Sequence, residues 1–490
     1  MKDLFWAFSH FSEHIYAGLT LIMLILGYIL IFILQILRKK NIILITLIMG
    51  LLIGFYYLLV TSLMVSDDLG GVDQTQKFID SIYLWLTMAW TIFMMLILVA
   101  LPIYVFTMVS TAFTHTRHVK KDKKLIAISF LSLLSMTLLG IFVALCFFPF
   151  IWLLQDQMQI SVISGEESTS IFGGIWPNLE NVINQFLKNY GFIVIGFISL
   201  AIIFALIMNI LHLYIHDWGE KLISFVENIK KVIKFYLSGI AKMVPYVFMG
   251  MLIVLFTNYE NMFLSTLGSL ILFILFFFLG LAIVWGIEFS FVVNWRKTKD
   301  TINKKEFNKL TKEYAINDFA IQSAPILYPI TVSYVKKLGV RKDVLETTPR
   351  LTTFMGYSMC GGFYPTLIVI FTLIQPNAIL INNDAASIEQ MLFTLLATVP
   401  LIMFMTLGMT GVPGADVAII IALLSALGLN PGYFFTIYLI EPMLDKFRGV
   451  GNSMGFAAAS LITDRIYQKS MDKKELKIKN DEIKKENSKI

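Results

Sequence analysis

Long uninterrupted apolar runs are the main pattern along this chain. They reach the roughly 20 residues that a helix needs to cross the hydrocarbon core of a bilayer. Such runs have no polar face for water, so they predict membrane-spanning helices rather than surface helices of a soluble domain. Nine of them lie at residues 15–37, 41–65, 79–113, 125–155, 191–216, 236–257, 264–294, 345–375 and 432–462. The pattern predicts an all-α polytopic membrane protein with about nine transmembrane helices.

Two further apolar segments, 315–337 and 386–430, are interrupted by proline and glycine. Pro325 and Pro329 interrupt the first segment, and a Gly-Val-Pro-Gly sequence interrupts the second. Each break frees backbone N–H and C=O groups that lipid cannot satisfy, so it must lie inside protein or line a wet cavity. We therefore predict two re-entrant helical hairpins.

Two stretches have a more polar pattern. Between Gly219 and Tyr236, apolar residues recur at helical spacing, and the stretch also contains four lysines: Lys221, Lys230, Lys231 and Lys234. This pattern predicts an amphipathic helix at the inner membrane surface. The stretch 469–490 is rich in charge and predicts a solvated, partly disordered cytoplasmic tail.

Composition excludes several classes of protein. The 490-residue chain is 57% hydrophobic and 15% charged, whereas a soluble domain is about 45–50% apolar and about 25% charged. No soluble core could bury this much apolar surface, which excludes a soluble enzyme, a DNA-binding protein and a disordered scaffold. Cys146 and Cys360 provide no disulfide framework. The first run, 15–37, is too long for a signal peptide, so we expect an uncleaved helix.

Basic residues predict the orientation in the membrane. With nine spans and an external N-terminus, the inner loops and the tail contain 34 of the 39 Lys and Arg residues. The opposite orientation would place these residues outside, which contradicts the positive-inside rule. We expect a multi-pass protein of the cell membrane with a cytoplasmic C-terminus. The net charge of +6 then reflects topology rather than nucleic-acid binding.

Charged residues inside the predicted spans are the first candidates for chemistry, because each costs about 2.5–3.5 kcal/mol to insert. In the last span, Glu441, Asp445, Arg448 and Asn452 are spaced by four, three and four residues, which places them on one helix face. On this polar stripe, Asp445 can bind an ammonium group and Arg448 can bind a carboxylate through two hydrogen bonds. The alternative is a salt-bridge ladder that only holds helices together.

The tip of the second hairpin, 408–416, predicts a ligand-binding element. Where a helix is split, backbone N–H groups at the start of one half suit anions and carbonyls at the end of the other half suit cations. An ordinary kink is the alternative.

His212 and His216 are four residues apart, but we expect an interfacial structural role rather than a metal site. The sequence contains no Gly-Lys pair, which argues against an ATP-driven pump.

Six stretches match, in order, the motifs of one transporter family: 101–106, 176–178, 320–329, 358–362, 411–415 and the pattern Asp445-x-x-Arg448-x-x-x-Asn452. From about residue 41 onward, the chain therefore resembles the dicarboxylate/amino acid:cation symporters, which are sodium/glutamate symporter-like proteins. The second hairpin tip and the Asp-Arg-Asn pattern are the most specific matches. Residues 1–40 would be an extra transmembrane helix that the family usually lacks.

The resemblance implies an assembly and a substrate site. The family is trimeric, so we expect a homotrimer in which 41–260 is mainly scaffold and 261–468 is mainly a transport unit that moves as an elevator. By resemblance, Asp445 and Asn452 would hold the substrate amino group, Arg448 would hold its side-chain carboxylate, and the hairpin tips would close over it. The implied substrate-binding residues are Asp445, Arg448, Asn452, Ser323, Val412, Pro413, Gly414, Ala415, Met359 and Gly362.

Departures from the family motifs concern the coupling ion. Cys360 and Phe456 stand where the family has two sodium-binding aspartates. A residual sodium site made of hairpin backbone carbonyls is one alternative, and proton coupling is the other. Asp416 is our first candidate for a proton carrier and Glu441 is the second, because both add titratable groups near the polar stripe. Pairing of Asp416 with Lys446, or exposure to water at the tip, is the alternative reading.

The sequence thus predicts a secondary active transporter, not an enzyme, that couples H+ or Na+ to uptake of an acidic amino acid, such as glutamate or aspartate, or of a dicarboxylate. We expect no cofactor and no nucleic-acid partner. One alternative is a transporter or exchanger of neutral amino acids in the same fold. From another class, the alternative is a channel or a non-transporting receptor. A channel would need rings of pore-lining charge and no two-hairpin gate.

Overall fold

The computed structural model of the chain describes most of the predicted spans. The described residues are 15–37, 42–66, 123–157, 216–243, 262–299, 302–321, 324–352, 355–376, 386–406, 415–430, 432–437 and 440–487, with short pieces and single residues between some of them. Within these residues the regular structure is helical, apart from an isolated bridge between Ile379 and Leu429.

The helices are numbered here in chain order. They are α1 Ile15–Ile36, α2 Ile42–Ser66, α3 Lys123–Leu153, α4 His216–Ala241, α5 Met262–Lys299, α6 Lys304–Ile321, α7 Ala324–Lys337, α8 Lys342–Leu351, a π-helix Ser358–Phe363, α9 Tyr364–Leu373, α10 Ile388–Met405, α11 Ala415–Ala426, α12 Gly432–Ile437 and α13 Glu441–Asn487.

Four of the described helices, α1, α3, α5 and α10, are long and apolar enough to cross a membrane. The bounds of α1, α3 and α5 agree with the predicted spans 15–37, 125–155 and 264–294 within a few residues, because an apolar run of this length favours a continuous helix in lipid. α10 is the first half of the segment 386–430, for which the sequence predicted a re-entrant hairpin. The prediction of an all-α membrane protein is confirmed. The number of nine spans and the orientation stay predictions, and the runs 79–113 and 191–216 lie mostly outside the described residues.

The hydrophobicity of the run 345–375 predicted one continuous helix, but the structure divides this run. α8 ends at Leu351, and the chain resumes as the π-helix followed directly by α9. Gly356 lies between them with φ +87, a conformation that side chains rarely adopt. The interruption therefore depends on glycine, and hydropathy alone does not reveal it.

Both proline- and glycine-broken segments consist of two helices with a break between them. α6 and α7 flank the first break and contact each other, and α10 and α11 flank the second and also make contact. α6 begins at Lys304, earlier than the predicted start of its segment. This arrangement agrees with a hairpin, while the re-entrant path in the membrane stays a prediction.

The two polar stretches are both helical. α4 covers the predicted amphipathic stretch, and Val226 on its apolar face is buried while Lys221 is exposed. The charged stretch after 469 continues α13 to Asn487, so the expectation of partial disorder is wrong for the backbone of that part. Its many lysine and glutamate residues favour helix, which explains the extension.

The core forms where α3 packs against the π-helix, α5, α8, α9 and α13. Gly140 of α3 and Gly362 of the π-helix permit this approach. A side chain at Gly140 would meet the Ser358 carbonyl oxygen, and one at Gly362 would meet the Thr137 carbonyl oxygen. The two backbones are therefore in direct contact, and the π-helix is held at a fixed place beside α13.

Polar contacts stabilise the end of this core that contains Arg341 and Asp464. Arg341 Nε lies 2.7 Å from Asp464 Oδ1, and its guanidinium also donates to the Asp464 carbonyl oxygen at 2.8 Å. Trp295 Nε1 donates to the Leu338 carbonyl oxygen at 3.0 Å. These bonds join α5 and α13 to the connection between α7 and α8, which contains Leu338 and Arg341. α13 therefore has a defined position along its axis relative to its neighbours.

Candidate functional site

The polar stripe at the start of α13 forms a compact ion cluster. Arg448 Nη2 donates to Glu441 Oε1 and, at 2.9 Å, to Asp445 Oδ1. Arg448 is 1% exposed and Glu441 is 5% exposed, whereas the Asp445 side chain is 20% exposed. One cation is thus shared by two carboxylates, and Asp445 is the one that a solute can reach most easily.

Tyr364 of α9 completes the cluster from the other side. Its hydroxyl donates to Glu441 Oε2, and the Arg448 Cζ atom lies 4.1 Å from the centre of its ring. A guanidinium over an aromatic face gains a favourable cation–π interaction, which is stronger where water is excluded. Tyr364 therefore contacts both Arg448 and Glu441 and stabilises the position of each side chain.

Asn452 connects the polar stripe to the π-helix. Its Oδ1 accepts hydrogen bonds from the backbone N–H groups of Met359 at 2.9 Å and Cys360 at 3.2 Å. Its Nδ2 lies 2.9 Å from Cys360 Sγ, the geometry of a weak hydrogen bond to sulfur. In this structure the amide of Asn452 therefore joins α13 to the backbone of the π-helix.

Four other residues named from the sequence lie in the packed interior. Met359 is buried, and a side chain at Gly451 would meet its Cγ atom. Gly362 contacts α3, as described above. Cys360 is buried beside Asn452, and the ring of Phe456 packs on Tyr357 with centroids 5.3 Å apart. Phe456 thus fills space at its position and offers no oxygen ligand.

The hairpin tips are only partly described. Ser323, Val412, Pro413 and Gly414 lie outside the described residues. Ala415 and Asp416 open α11, but their side chains lie outside the description as well. Their predicted roles stay predictions. The structure brings together Glu441, Asp445, Arg448, Asn452 and Met359 from the set named by sequence.

Asp318 of α6 is a site residue that the sequence did not single out. It is 3% exposed and faces α13, where its Oδ1 lies 3.5 Å from the position that a side chain would occupy at Gly449. Gly449 is one turn beyond Asp445 on the same helix. In the sequence, Asp318 is only an aspartate within the broken apolar segment 315–337. Its proximity to Gly449 is not visible there, because Gly449 lies in a distant part of the chain.

No group of three His, Cys, Asp or Glu side chains in the described part of the chain is arranged to hold a metal ion. The cluster can instead recognise charge. It offers carboxylates to an ammonium group and a buried guanidinium whose charge they balance.

Comparison with known proteins agrees with the resemblance described in the sequence analysis. The family model described as the sodium:dicarboxylate symporter family matches residues 39–466. The chain belongs to this family. This is a family of symporters rather than enzymes, so the resemblance seen in the sequence is confirmed.

Two relatives align with the symporter at low identity. A protein named an uncharacterized symporter from Haemophilus influenzae is 24% identical over 252 residues, which cover 51% of this chain and 53% of the relative. The L-cystine uptake protein TcyP of Bacillus licheniformis is 22% identical over 270 residues, covering 54% of this chain and 55% of the relative. The chain thus spans about half the length of each relative.

Proposed function

We propose that this symporter takes up a zwitterionic amino acid with no net charge, either a neutral amino acid or the dimeric amino acid cystine. The observation that carries the proposal is the pairing of Arg448 with both Glu441 and Asp445. In a cation-coupled transporter, the charges fixed around the substrate decide which substrate charges are accepted.

The charge balance at the polar stripe favours an ammonium group over an additional carboxylate. Glu441 and Asp445 together carry one more formal charge than Arg448 can balance. Asp318 adds another carboxyl group one turn along α13. A substrate with an extra carboxylate would approach groups of like charge, which disfavours binding inside a poorly solvated site. An ammonium group finds Asp445 partly exposed and suitably charged.

The similarity to TcyP also favours a substrate with no net charge, because that protein is named for L-cystine uptake. Each half of cystine is a zwitterion, and the molecule has no net charge at neutral pH. Its ammonium groups suit a site rich in carboxylates. Its carboxylates suit backbone N–H groups at a helix start, such as those predicted for the hairpin tips at Ser323 and 412–415.

An acidic amino acid or a dicarboxylate is the second candidate. The family description names dicarboxylates, and Arg448 occupies the place that the family motif assigns to carboxylate binding. For such a substrate, Arg448 would have to exchange Asp445 or Glu441 for the substrate carboxylate. The exchange retains the number of ion pairs but leaves one buried carboxylate without its cation, which is costly.

The proposal includes the family's mode of action. Residues 261–468 would form most of a transport unit that carries the substrate across the membrane by an elevator movement against a scaffold mainly within 41–260, in a homotrimer. α3, whose backbone contacts the π-helix directly, would move with the transport unit. The coupling cation is sodium or a proton. The contacts within the described core support a rigid transport unit, since α5, α9, the π-helix and α13 pack together.

Counterflow in proteoliposomes tests the substrate class without any ion gradient. Vesicles containing the full-length protein are loaded with unlabelled serine or cystine, and entry of labelled serine, cystine, glutamate and aspartate is measured. We expect exchange of cystine or serine, with glutamate and aspartate at least tenfold weaker competitors. Asp445→Asn should abolish the exchange, whereas Asp343→Asn, at an exposed carboxylate, should not. Exchange restricted to glutamate and aspartate would contradict the proposal.

A further inference from the structure

Glu288 is a buried acid that lies outside the polar stripe. It lies in the second half of α5, a helix that is otherwise apolar for most of its length, and its exposure is 0%. Neither of its carboxyl oxygens completes a hydrogen bond with a described residue, and no Lys, Arg or His in the described part of the chain forms an ion pair with it. No described side chain therefore balances a negative charge on Glu288.

Three elements leave a small space in front of this carboxyl group. Gly455 of α13 faces it, and a side chain there would start 2.7 Å from Glu288 Oε1 and 3.1 Å from Ser358 Oγ. Ser358, the first residue of the π-helix, is the hydroxyl that faces the carboxyl group. The lack of a side chain at Gly455 thus lets an acid from α5 and a hydroxyl from the π-helix meet.

The other titratable groups around Glu288 do not neutralise it. Tyr314 of α6 interacts with it, but the Tyr314 hydroxyl is bonded to Thr331 and to the Ser453 carbonyl oxygen. The π-helix contributes Cys360, whose sulfur lies beside Asn452. The helices around Glu288 carry further ionisable side chains, which are Asp318 of α6, Tyr364 of α9, and Arg448 and Asp445 of α13. Tyr364 is bonded to Glu441, and Arg448 is paired with Asp445. α3 has no charged side chain from Leu125 to Leu145.

An ionised carboxylate in such a place is costly, so it must bind a proton or a cation. A metal cation prefers a shell of several oxygen ligands. The described side chains supply only the Glu288 carboxyl group and the Ser358 hydroxyl, and the Ser358 carbonyl oxygen is directed at Gly140 of α3. One proton needs only one carboxyl oxygen, so the site suits a proton.

We propose that Glu288 and Ser358 form a proton-binding site, in which Glu288 carries the coupling proton of the symporter. The proposal rests on the cation-coupled function proposed above. The Glu288 carboxylate accepts one proton from the outer solution and becomes a neutral acid. It returns that proton to the inner solution, so that one proton moves with each substrate and the site regains its charge.

The site is linked to the polar stripe through the π-helix. Ser358 begins this helix, and the next two N–H groups, of Met359 and Cys360, bind Asn452, which is one turn from Arg448. A change at the stripe that shifts Asn452 also moves Ser358. Proton and substrate affinities should therefore change together and by the same factor, as linkage requires. Glu441 is a weaker candidate because Arg448 and Tyr364 already bind it.

Uptake driven by a pH gradient in proteoliposomes, without sodium, tests this site. Wild type should accumulate labelled serine or cystine, and accumulation by Glu288→Gln should be at least tenfold lower. The variant should still exchange these amino acids in counterflow, because glutamine resembles the protonated acid. Glu306→Gln, at an exposed glutamate, is the matched control and should behave as wild type. Full pH-driven accumulation by Glu288→Gln, or accumulation by wild type with sodium alone, would overturn the proposal.

Infrared difference spectroscopy of the purified full chain tests proton binding separately from transport. A pH step should reveal the C=O stretch of a protonated carboxyl group that is lost in Glu288→Gln and kept in Glu306→Gln. In Ser358→Ala the band should remain but shift in frequency, which covers the case in which Glu288→Gln does not fold. A band unaffected by both substitutions would overturn the site. If the band behaves as expected but no amino acid exchanges, the proposed function fails and the proton site stands.

Discussion

Arg448 is almost completely buried, and it is the cation shared by two carboxylates of the polar stripe. Removal of one partner of a buried ion pair leaves an uncompensated charge, which typically costs about 3–5 kcal/mol. Arg448→Met leaves Glu441 and Asp445 with no cation. We expect a clear loss of thermal stability in detergent, followed by tryptophan fluorescence, and partial recovery in Arg448→Met/Glu441→Gln, where one of the two charges is removed.

Lys342→Met is a suitable control because that lysine is exposed at the start of α8. It should change the unfolding temperature little, since exposed charges contribute about 0–1 kcal/mol. Equal effects of Arg448→Met and Lys342→Met, or a double variant no more stable than the single one, would show that the cluster does not hold Arg448 as described.

At the residue scale, the sequence predicted the stripe but not its partners. Spacings of four, three and four residues place Glu441, Asp445, Arg448 and Asn452 on one face of any α-helix. Tyr364, in contrast, is 77 residues from Glu441 along the chain. Only the packing of α9 against α13 reveals this contact. The same holds for Glu288, because the space at Gly455 is formed by three separate elements.

At the scale of elements, the contact between α3 and the π-helix depends on glycine. In Gly140→Ala, the new methyl group would meet the Ser358 carbonyl oxygen and lie 2.7 Å from the Phe363 nitrogen, and neither backbone atom can move away freely. We expect a loss of about 3 kcal/mol or more in stability, measured as a lower unfolding temperature and a lower yield of folded protein.

Gly286→Ala in α5 is the matched control, since nothing lies within 4 Å of the position that its methyl group would occupy. Alanine favours helix over glycine by about 1 kcal/mol, so this variant should be as stable as wild type or more stable. If Gly140→Ala is as stable as Gly286→Ala, the two backbones are not in direct contact.

The helices of lipid length were predictable, whereas the break in 345–375 was not. A run that is buried on every side has no polar face, so its pattern cannot distinguish a continuous α-helix from one interrupted by a π-helix. Gly356 is the residue that matters, because its φ of +87 suits glycine and a side chain there would lie 2.6 Å from Leu133 Cδ2. The presence of a glycine at position 356 does not by itself predict that the helix is interrupted there.

At the scale of the whole molecule, α1 is an addition to the symporter fold. Leu21, Leu24 and Ile31 form a small apolar cluster with α2 and with Met249, separate from the main core. Gln35 donates to the Lys242 carbonyl oxygen at 2.6 Å. α1 thus packs against residues within 41–260, the part of the chain that we propose as mainly scaffold.

Deletion of residues 1–36 should therefore leave the proposed homotrimer intact. The family match begins at residue 39, so the contacts expected to form the trimer lie after α1. Native mass spectrometry of the truncated protein in detergent should show a trimer, as for the full chain. A monomer or an aggregate from the truncated chain, beside a trimer from the full chain, would mean that α1 belongs to the assembly interface.

Sequence and structure agree on a polytopic membrane protein because both follow from the bilayer, which requires long apolar helices. The substrate is less predictable, because it depends on how charges are paired in three dimensions. From the sequence, Arg448 appeared available to an acidic substrate. In the structure, Glu441 and Asp445 bind it, and this pairing led us to propose a substrate without an extra carboxylate.

The measurement that tests cation-coupled symport most directly is gradient-driven accumulation. Proteoliposomes containing the full chain receive labelled cystine or serine with an inward gradient of protons or of sodium, or with no gradient. For a cation-coupled symporter, we expect one gradient to raise the internal concentration at least tenfold above the external one, and an ionophore for that cation to collapse the difference. Entry that only equalises the two concentrations under every gradient would identify a channel or an uncoupled carrier and would rule out cation-coupled symport.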